Sequence, residues 1–291
     1  MTDPSLKRRL DAGQFIAAPG VYDLIGVHLA NEVGFDAIYA SGYWMTVSAL
    51  GLPDLGLATY TEMIDRVARI AELSEAPVIA DADTGYGGLV NLHRTVRGYE
   101  KAWVSGFQIE DQVFPKKCGH TPGRSVIPLE EMVQKIRVAL DTRTDEHFLV
   151  IARTDARTDF GIDEAIKRGA AYAEAGADLI FVEALTSETE MERVCREVDG
   201  RLMANIAPTG VTPVLTVGRL EELGFAAAIF PALTAMTAMA TMETALRQLK
   251  ETGDSTHPDL ENFDFKRACR LFGFDEYREL QHRWNDFDHE S

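Results

Sequence analysis

The chain has 291 residues, enough for one large α/β barrel or two average domains, so length leaves the domain count to the pattern. Its 46 acidic against 29 basic residues give a net charge of -17, a field that repels nucleic acid and anionic lipid and excludes both as partners. Cys118, Cys195 and Cys269 lie far apart without a CxxC spacing, which excludes a disulfide framework and a zinc knuckle and points to a reducing cytosol.

In chain order, basic Lys7-Arg8-Arg9 precedes Asp11, Gly13 and Gln14 rather than an apolar run, and so does not read as a secretory signal. Short β-rich runs then alternate with helical patterns. The strand candidates are Phe15 to Ala18, Asp36 to Ala40, Pro77 to Ala80, Gly106 to Glu110, Phe148 to Ala152, Leu179 to Glu183, Leu202 to Ile206 and Ala226 to Phe230. They are apolar on both faces, as buried parallel strands are. Amphipathic segments between them include Tyr60 to Leu73, Glu130 to Leu140, Ile162 to Ala175 and Glu188 to Val198. Gly34, Gly106, Gly176, Gly200 and Gly224, each just before a strand, suit helix C-caps and αβ turns.

The uncharged stretch Phe225 to Met242 approaches a membrane span in length, but Pro231 and three threonines make it a strand running into a helix. The pattern predicts a single (β/α)8 TIM-type barrel over residues 1–291, with a helical tail from about residue 255. An open doubly wound sheet is the alternative.

Chemistry-bearing residues gather at the strand ends, where a barrel builds its active site. Asp81 and Asp83 close the third strand two residues apart, a spacing that faces both carboxylates to one side. Two like charges there call for a cation, and all-oxygen ligation favours Mg2+, with Mn2+ as the alternative, over zinc. The plainer alternative is one capping and one salt-bridged aspartate. Glu110-Asp111 ends the fourth strand, and Asp54 follows Pro53 in a loop, where a turn role competes with a share in the metal site.

The long connection Gln112 to Pro128 carries Lys116-Lys117-Cys118-Gly119-His120 and reads as a lid or binding loop. A cysteine beside two lysines and near a histidine is expected to have a lowered pKa and to move a proton near neutrality; an incidental exposed cysteine is the competing reading. Arg153 is placed to clamp a carboxylate, or else to pair with Asp155 or Asp178. Glu183, Asn205 and Thr234 continue a polar ring round the opening.

Over nearly its whole length the chain resembles the isocitrate lyase/phosphoenolpyruvate mutase superfamily. The matches are Tyr39-Ala40-Ser41-Gly42, Leu50 to Gly56, Asp81 to Gly87, Ile109 to Gln112, Lys116 to His120 and Ala152 to Asp155, and the Lys-Lys-Cys-Gly-His loop is that of the lyase branch. The resemblance implies Mg2+ held by Asp81 and Asp83, with Asp54 and Glu110 in its water shell. It also implies substrate contacts from Ser41, Gly42, Tyr43, Gly119, Arg153, Glu183 and Asn205, and a homotetramer that exchanges C-terminal helices. Cys118 is the implied acid, with His120, Lys116 and Lys117 tuning it and Tyr39 as a relay for the hydroxyl proton.

Two departures bear on substrate. Asn205-Ile206-Ala207-Pro208-Thr209-Gly210 stands where methylisocitrate lyases resemble Asn-Ile-Thr-Glu-Phe-Gly, and Thr237 stands where they carry an arginine. With Asn205, Thr209 and Thr234 left for the second carboxylate, the expected substrate is a methylated malate such as 2,3-dimethylmalate, and methylisocitrate is the alternative if tail arginines such as Arg267, Arg270 or Arg278 supply the missing charge. The expected reaction is metal-dependent cleavage of a carbon-carbon bond in a 2-hydroxy dicarboxylate, giving a 2-oxo acid and a second acid. An oxaloacetate-directed hydrolase or decarboxylase and a non-catalytic metabolite-binding barrel are the other readings.

Overall fold

A computed structural model describes residues 3–119, 123–256 and 261–285. Eight parallel strands close into a barrel in the order β1 to β8: Ile16–Val21, Ile38–Ala40, Val78–Asp81, Gly106–Glu110, Leu149–Thr154, Leu179–Val182, Leu202–Asn205 and Ala227–Phe230. The expected (β/α)8 class is what forms, and the open sheet is excluded by the pairing of β1 with β8. The helices are α1 (Ser5–Asp11), α2 (Leu24–Val33), α3 (Gly42–Leu50), α4 (Tyr60–Leu73), α5 (Leu89–Lys101) and α6 (Leu129–Thr142). They continue with α7 (Arg157–Glu174), α8 (Glu188–Glu197), α9 (Val217–Leu223), α10 (Leu233–Thr252), α11 (Phe265–Leu271) and α12 (Phe274–Asn285).

The chain packs as two compact units, Met1–Ala235 and Met236–Ser291. The first is the barrel. In the second, α11 and α12 leave Phe265, Phe274, Tyr277 and Trp284 exposed. No helix among the described residues is long and apolar enough to cross a membrane, and Phe225 to Met242 divides into β8 and the start of α10 as expected.

Because side chains alternate along a strand, each barrel strand gives one set to the helices and the other to the interior. The helix-facing set, among it Val78, Ala80, Phe107, Val150, Ile180 and Leu202, packs with Val67, Val96, Ile136 and Val194 of the surrounding helices. The inward set, Ile16, Ala18, Tyr39, Ile79, Leu149, Ile151, Leu179, Phe181, Met203, Ala227 and Ile229, fills the barrel. Leu6 and Leu10 of α1, a helix the sequence pattern did not disclose, join that inner core.

Continuing two residues up the inward face replaces these apolar layers with polar ones: Ile79 is followed by Asp81, Ile151 by Arg153, Phe181 by Glu183 and Met203 by Asn205. One alternation therefore builds both the core and the mouth.

The glycine reading holds in part. Gly34 and Gly224 end α2 and α9 in the left-handed region, at φ 81° and 104°. Gly106 instead opens β4, where a Cβ would lie 2.8 Å from the Leu149 side chain, and Gly200 is absent from the left-handed glycines. These two are required or tolerated by packing and not by helix ending.

The acidic pair at the end of β4 splits between the two faces. Glu110 points to the mouth, whereas Asp111 binds the next layer together: it accepts from the Thr154 hydroxyl (2.8 Å), the Asp155 amide (2.9 Å), the Tyr172 hydroxyl (2.7 Å) and Arg168 Nη1 (3.0 Å). Asp111→Ala takes from buried Arg168 one of its two anions, Glu164 being the other, and strips the buried Thr154 and Tyr172 hydroxyls of their shared acceptor, so we expect a loss of about 3 kcal/mol, read as a lower urea midpoint at an unchanged m value. A change under about 0.5 kcal/mol would show the network to be dispensable.

Candidate active site

The mouth is a cluster of buried charge. Asp54, Asp81, Asp83, Glu110, Asp155 and Glu183 are all under 9% exposed, as are the cations Lys116, Arg124 and Arg153. Six carboxylates face three cationic side chains, which leaves the cluster short of positive charge.

Asp81 and Asp83 do come together, but not by strand alternation. β3 ends at Asp81, and Asp83 takes a left-handed conformation (φ 48°) in which its amide donates to Asp81 Oδ1 at 3.0 Å. A tight turn held by the first carboxylate aims the second. Burial raises the pKa of both groups, with repulsion from Asp83 adding at Asp81, while Lys116 opposes the rise at each. Glu110 is pushed well above the carboxylate range, chiefly by burial, against the pull of Arg153.

Asp54 is buried and not a surface turn residue. Lys116 explains why: its ammonium lies 2.5 Å from Asp54 and 2.7 Å from Asp83. Burial favours the neutral amine, yet Asp83, Glu110, Asp54 and Asp81 together hold the pKa of Lys116 well above normal. Lys117, the second lysine of the motif, donates instead to the Gly123 carbonyl at 2.7 Å within the loop.

Arg153 is held on one edge by Asp155, with Nε to Oδ2 and Nη2 to Oδ1 both at 2.9 Å. It also lies 3.4 Å from Glu110 and 3.3 Å from Glu183, over the Phe181 ring. Of its two expected pairings the one with Asp155 forms, while Asp178 pairs with Lys7 and Arg143. Asn205 Nδ2 donates to Glu183 at 3.1 Å.

The Gln112 to Pro128 connection is less irregular than its length suggests. An antiparallel bridge joins Gln112 to Val126, and the Gln112 amide holds Lys117 by both backbone groups, at 2.8 and 2.9 Å. At its tip Gly119 packs so tightly that a Cβ would sit 2.8 Å from Glu183 Cγ and closer still to Arg153 Nη2. Gly42, at the start of α3, has the same reason to be glycine, since a Cβ there would lie 2.6 Å from Asp81 Oδ2. Cys118 is half-buried and near Tyr43, whose phenol pKa is raised by burial and then by Cys118 and Asp54. His120 falls outside the described residues.

Other expected site residues are placed as follows. Ser41 is buried ahead of α3. The Tyr39 hydroxyl donates to Gln108 Oε1 at 3.0 Å, and burial beside Asp81 raises its pKa well above normal, so in this arrangement it holds its proton. Thr234 spends its hydroxyl on the Gly20 carbonyl at 2.7 Å. Thr209 is exposed in a left-handed turn after β7 and is not drawn into the cluster. Sequence reasoning missed Arg124, Gln108 and Gln112; the only signal for Arg124 was an unassigned charge inside the loop.

A divalent cation fits this donor set. The carboxylates are hard oxygen donors in excess of the cations, and Glu110 Oε1 is buried with no hydrogen-bond partner. Among the described residues, however, no three His, Cys, Asp or Glu side chains stand ready-made as a metal cluster, in keeping with an ion that retains several waters.

A closed barrel with carboxylates, a clamping arginine and a loop-borne thiol at its strand ends is the layout of a barrel enzyme acting on small anions. The chain belongs to the phosphoenolpyruvate phosphomutase family, which it matches over residues 6–250. It is 44% identical to 2,3-dimethylmalate lyase of Eubacterium barkeri, over 97% of this chain and 98% of that one. It is 42% identical to 2-methylisocitrate lyase of Aeropyrum pernix, over 94% and 87%. Among solved structures, oxaloacetate acetylhydrolase with 3,3-difluorooxalacetate superposes at a TM-score of 0.91 and 33% identity, covering 97% of both chains. Phosphonopyruvate hydrolase with oxalate and Mg2+ superposes at 0.87 and 29% identity, covering 98% and 99%. The chain is an enzyme of the carbon-carbon lyase class.

The raised carboxyls make a pH test possible. A folded-state pKa above the unfolded one favours folding below about pH 4, and that contribution is lost as pH rises through the folded value. Lys116 contributes evenly here, since its stabilisation is lost only above about pH 10. Asp155 is held below the usual range, burial being outweighed by Arg153 and Arg124, so its contribution is lost only at lower pH. In EDTA we therefore expect the melting temperature to fall as the pH rises from about 4 toward neutrality, and millimolar Mg2+ to raise it more at neutral pH than at the acid end. A flat profile in EDTA, or an equal gain at both pH values, contradicts this electrostatic account.

Proposed function

We propose that the enzyme cleaves the C2–C3 bond of a methylated 2-hydroxy dicarboxylate by a retro-aldol (Claisen-type) reaction. The substrate class is that of 2,3-dimethylmalate, with the tricarboxylate methylisocitrate as its competitor, and the products are a pyruvate-like 2-oxo acid and a second carboxylic acid. The cofactor is Mg2+, or Mn2+ in its place, held by Asp81 and Asp83 with Asp54 and Glu110 around it. The observation that carries this reading is the seating of Lys116 on Asp54 and Asp83 and of Gly119 against Arg153 and Glu183, the two neighbours that bracket Cys118 at a carboxylate-lined mouth, which supports a role for the thiol there.

When bound, the cation supplies Lewis-acid polarisation of the substrate's 2-oxygen. Arg153, fixed by Asp155, clamps the carboxylate next to the hydroxyl carbon. Ser41 and Gly42 approach from α3, and Asn205 is steadied by Glu183. As the hydroxyl proton passes to a carboxylate of the cluster and the C2–C3 pair passes to C3, Cys118 delivers its proton to that carbon and is left as the thiolate. Packing of the loop excludes water from the enolate at that moment. Lys116 keeps the segment seated and its charge beside the aspartates; Tyr39 serves as a relay if its bond to Gln108 opens.

The tetrameric assembly with exchanged C-terminal helices belongs to this proposal and is supported by the apolar side chains that α11 and α12 leave exposed. Oxaloacetate hydrolysis is a second reading, favoured by the 0.91 superposition on oxaloacetate acetylhydrolase.

Steady-state kinetics on 2,3-dimethylmalate, methylisocitrate, isocitrate and oxaloacetate decide between them, with pyruvate, glyoxylate and oxalate release followed separately. We expect the highest kcat/KM on a methylated malate; oxalate from oxaloacetate as the fastest reaction would establish the hydrolase instead. Cys118→Ser should keep fold and product binding and lose on the order of 10²–10⁴ in kcat, the range for a missing acid catalyst. Near wild-type turnover in that variant makes Cys118 a bystander.

A further inference from the structure

We propose that Arg124 is a positioning residue that anchors the Cys118 segment to the arginine clamp, so that thiol and substrate carboxylate are located by one shared carboxylate. The inference rests on the role of Cys118 given above.

Arg124 follows the loop tip, and its side chain returns beneath it. Nη1 donates to the Gly119 carbonyl, one residue past Cys118, and to Asp155 Oδ1 at 2.8 Å; Nη2 donates to the Thr158 hydroxyl at the start of α7. The guanidinium is 2% exposed and its partner Asp155 fully buried, so this is an internal strut and not a surface ion pair. Asp155 Oδ1 also accepts from Arg153 Nη2 at 2.9 Å, and the Asp155 amide is fixed by Asp111 at 2.9 Å.

One oxygen is thus shared by the guanidinium that clamps substrate and the one that holds the loop. Neither can shift without disturbing the other. Lys116 secures the same segment only on its far side, through Asp54 and Asp83. Without Arg124 the Gly119 end keeps its packing against Arg153 but loses its directional tie, and a thiol misplaced by about 1 Å can cost on the order of 100-fold in rate.

The test uses the full-length, Mg2+-replete protein and three variants, Arg124→Met, Arg124→Lys and Thr158→Val. The first readout is iodoacetamide labelling of Cys118, with Cys195 and Cys269 as internal controls. The second is the split of kcat from KM on whichever substrate of the panel turns over. Arg124→Met should label about tenfold faster at Cys118 alone and lose roughly 100-fold in kcat with a smaller rise in KM, since Asp155 keeps both of its bonds to Arg153. Arg124→Lys, which keeps charge and one donor, should recover most of both.

Wild-type labelling and kcat in Arg124→Met overturn the proposal, as does acceleration spread equally over all three cysteines, which marks general loosening. Should Arg124→Met fail to fold, Thr158→Val decides: faster labelling at Cys118 supports the strut, and an unchanged rate sinks it. Cys118→Ser separates this from the parent reading. If that variant stays active, Cys118 is not the acid, while the labelling data still report on the strut.

Discussion

Burying six carboxylates at one end of a barrel is the constraint on which the site depends. Each buried charge must be paired or it shifts toward neutrality, and three cationic side chains cannot pair six anions one to one. Lys116 and Arg153 are therefore shared. Lys116 bridges a loop aspartate to the turn after β3, and Arg153 lies within reach of carboxylates on three consecutive strand ends. Sharing ties together segments that are remote in sequence, so the seating of the β4–α6 connection is an electrostatic event as much as a packing one.

That arrangement also explains how a protein of charge -17 handles small anions. The global field is unfavourable to them, but the relevant potential is local and is set by groups a few ångströms away in a medium of low dielectric. Lys116, Arg124 and Arg153 are concentrated where the chain is otherwise most acidic, and the proposed divalent cation would reverse the local sign there. The excess acidity of the side chains themselves appears as raised carboxyl pKa values and a buried Glu110 oxygen with no hydrogen-bond partner.

Much of this was legible in the sequence because strand alternation is strict: Ile79 before Asp81, Ile151 before Arg153 and Phe181 before Glu183 announce an apolar barrel interior that turns polar at its mouth. What escaped depends on backbone choices and distant contacts that local pattern does not encode. Asp83 reaches its partner through a left-handed turn and not along a strand face. Glu110 and Asp111 read as one acidic pair, yet alternation sends them to opposite faces. Asp54 looked like a turn residue because its partner, Lys116, lies in another loop. Gly42 and Gly119 are glycines because side chains from other elements occupy the space of their Cβ atoms, which no one-dimensional pattern reveals.

The same bookkeeping of charge bears on substrate size. A third carboxylate in a closed pocket needs its own cation or several donors, since an unpaired buried charge costs several kcal/mol. In the proposed mechanism Arg153 and the metal ion are already committed to the 2-hydroxy acid end. Of the groups beyond them, Asn205 is turned to Glu183, Thr234 bonds the Gly20 carbonyl, Thr209 stands in solvent, and Lys117 is spent on Gly123 within its own loop. The next cation inward, Arg124, is locked to Asp155 and to the loop backbone, so recruiting it for substrate would release the segment that carries the thiol. A tricarboxylate would thus compete with the interactions that hold Cys118 in place, whereas methyl groups make no such demand, and the economy of cations at the mouth favours a substrate with two carboxylates.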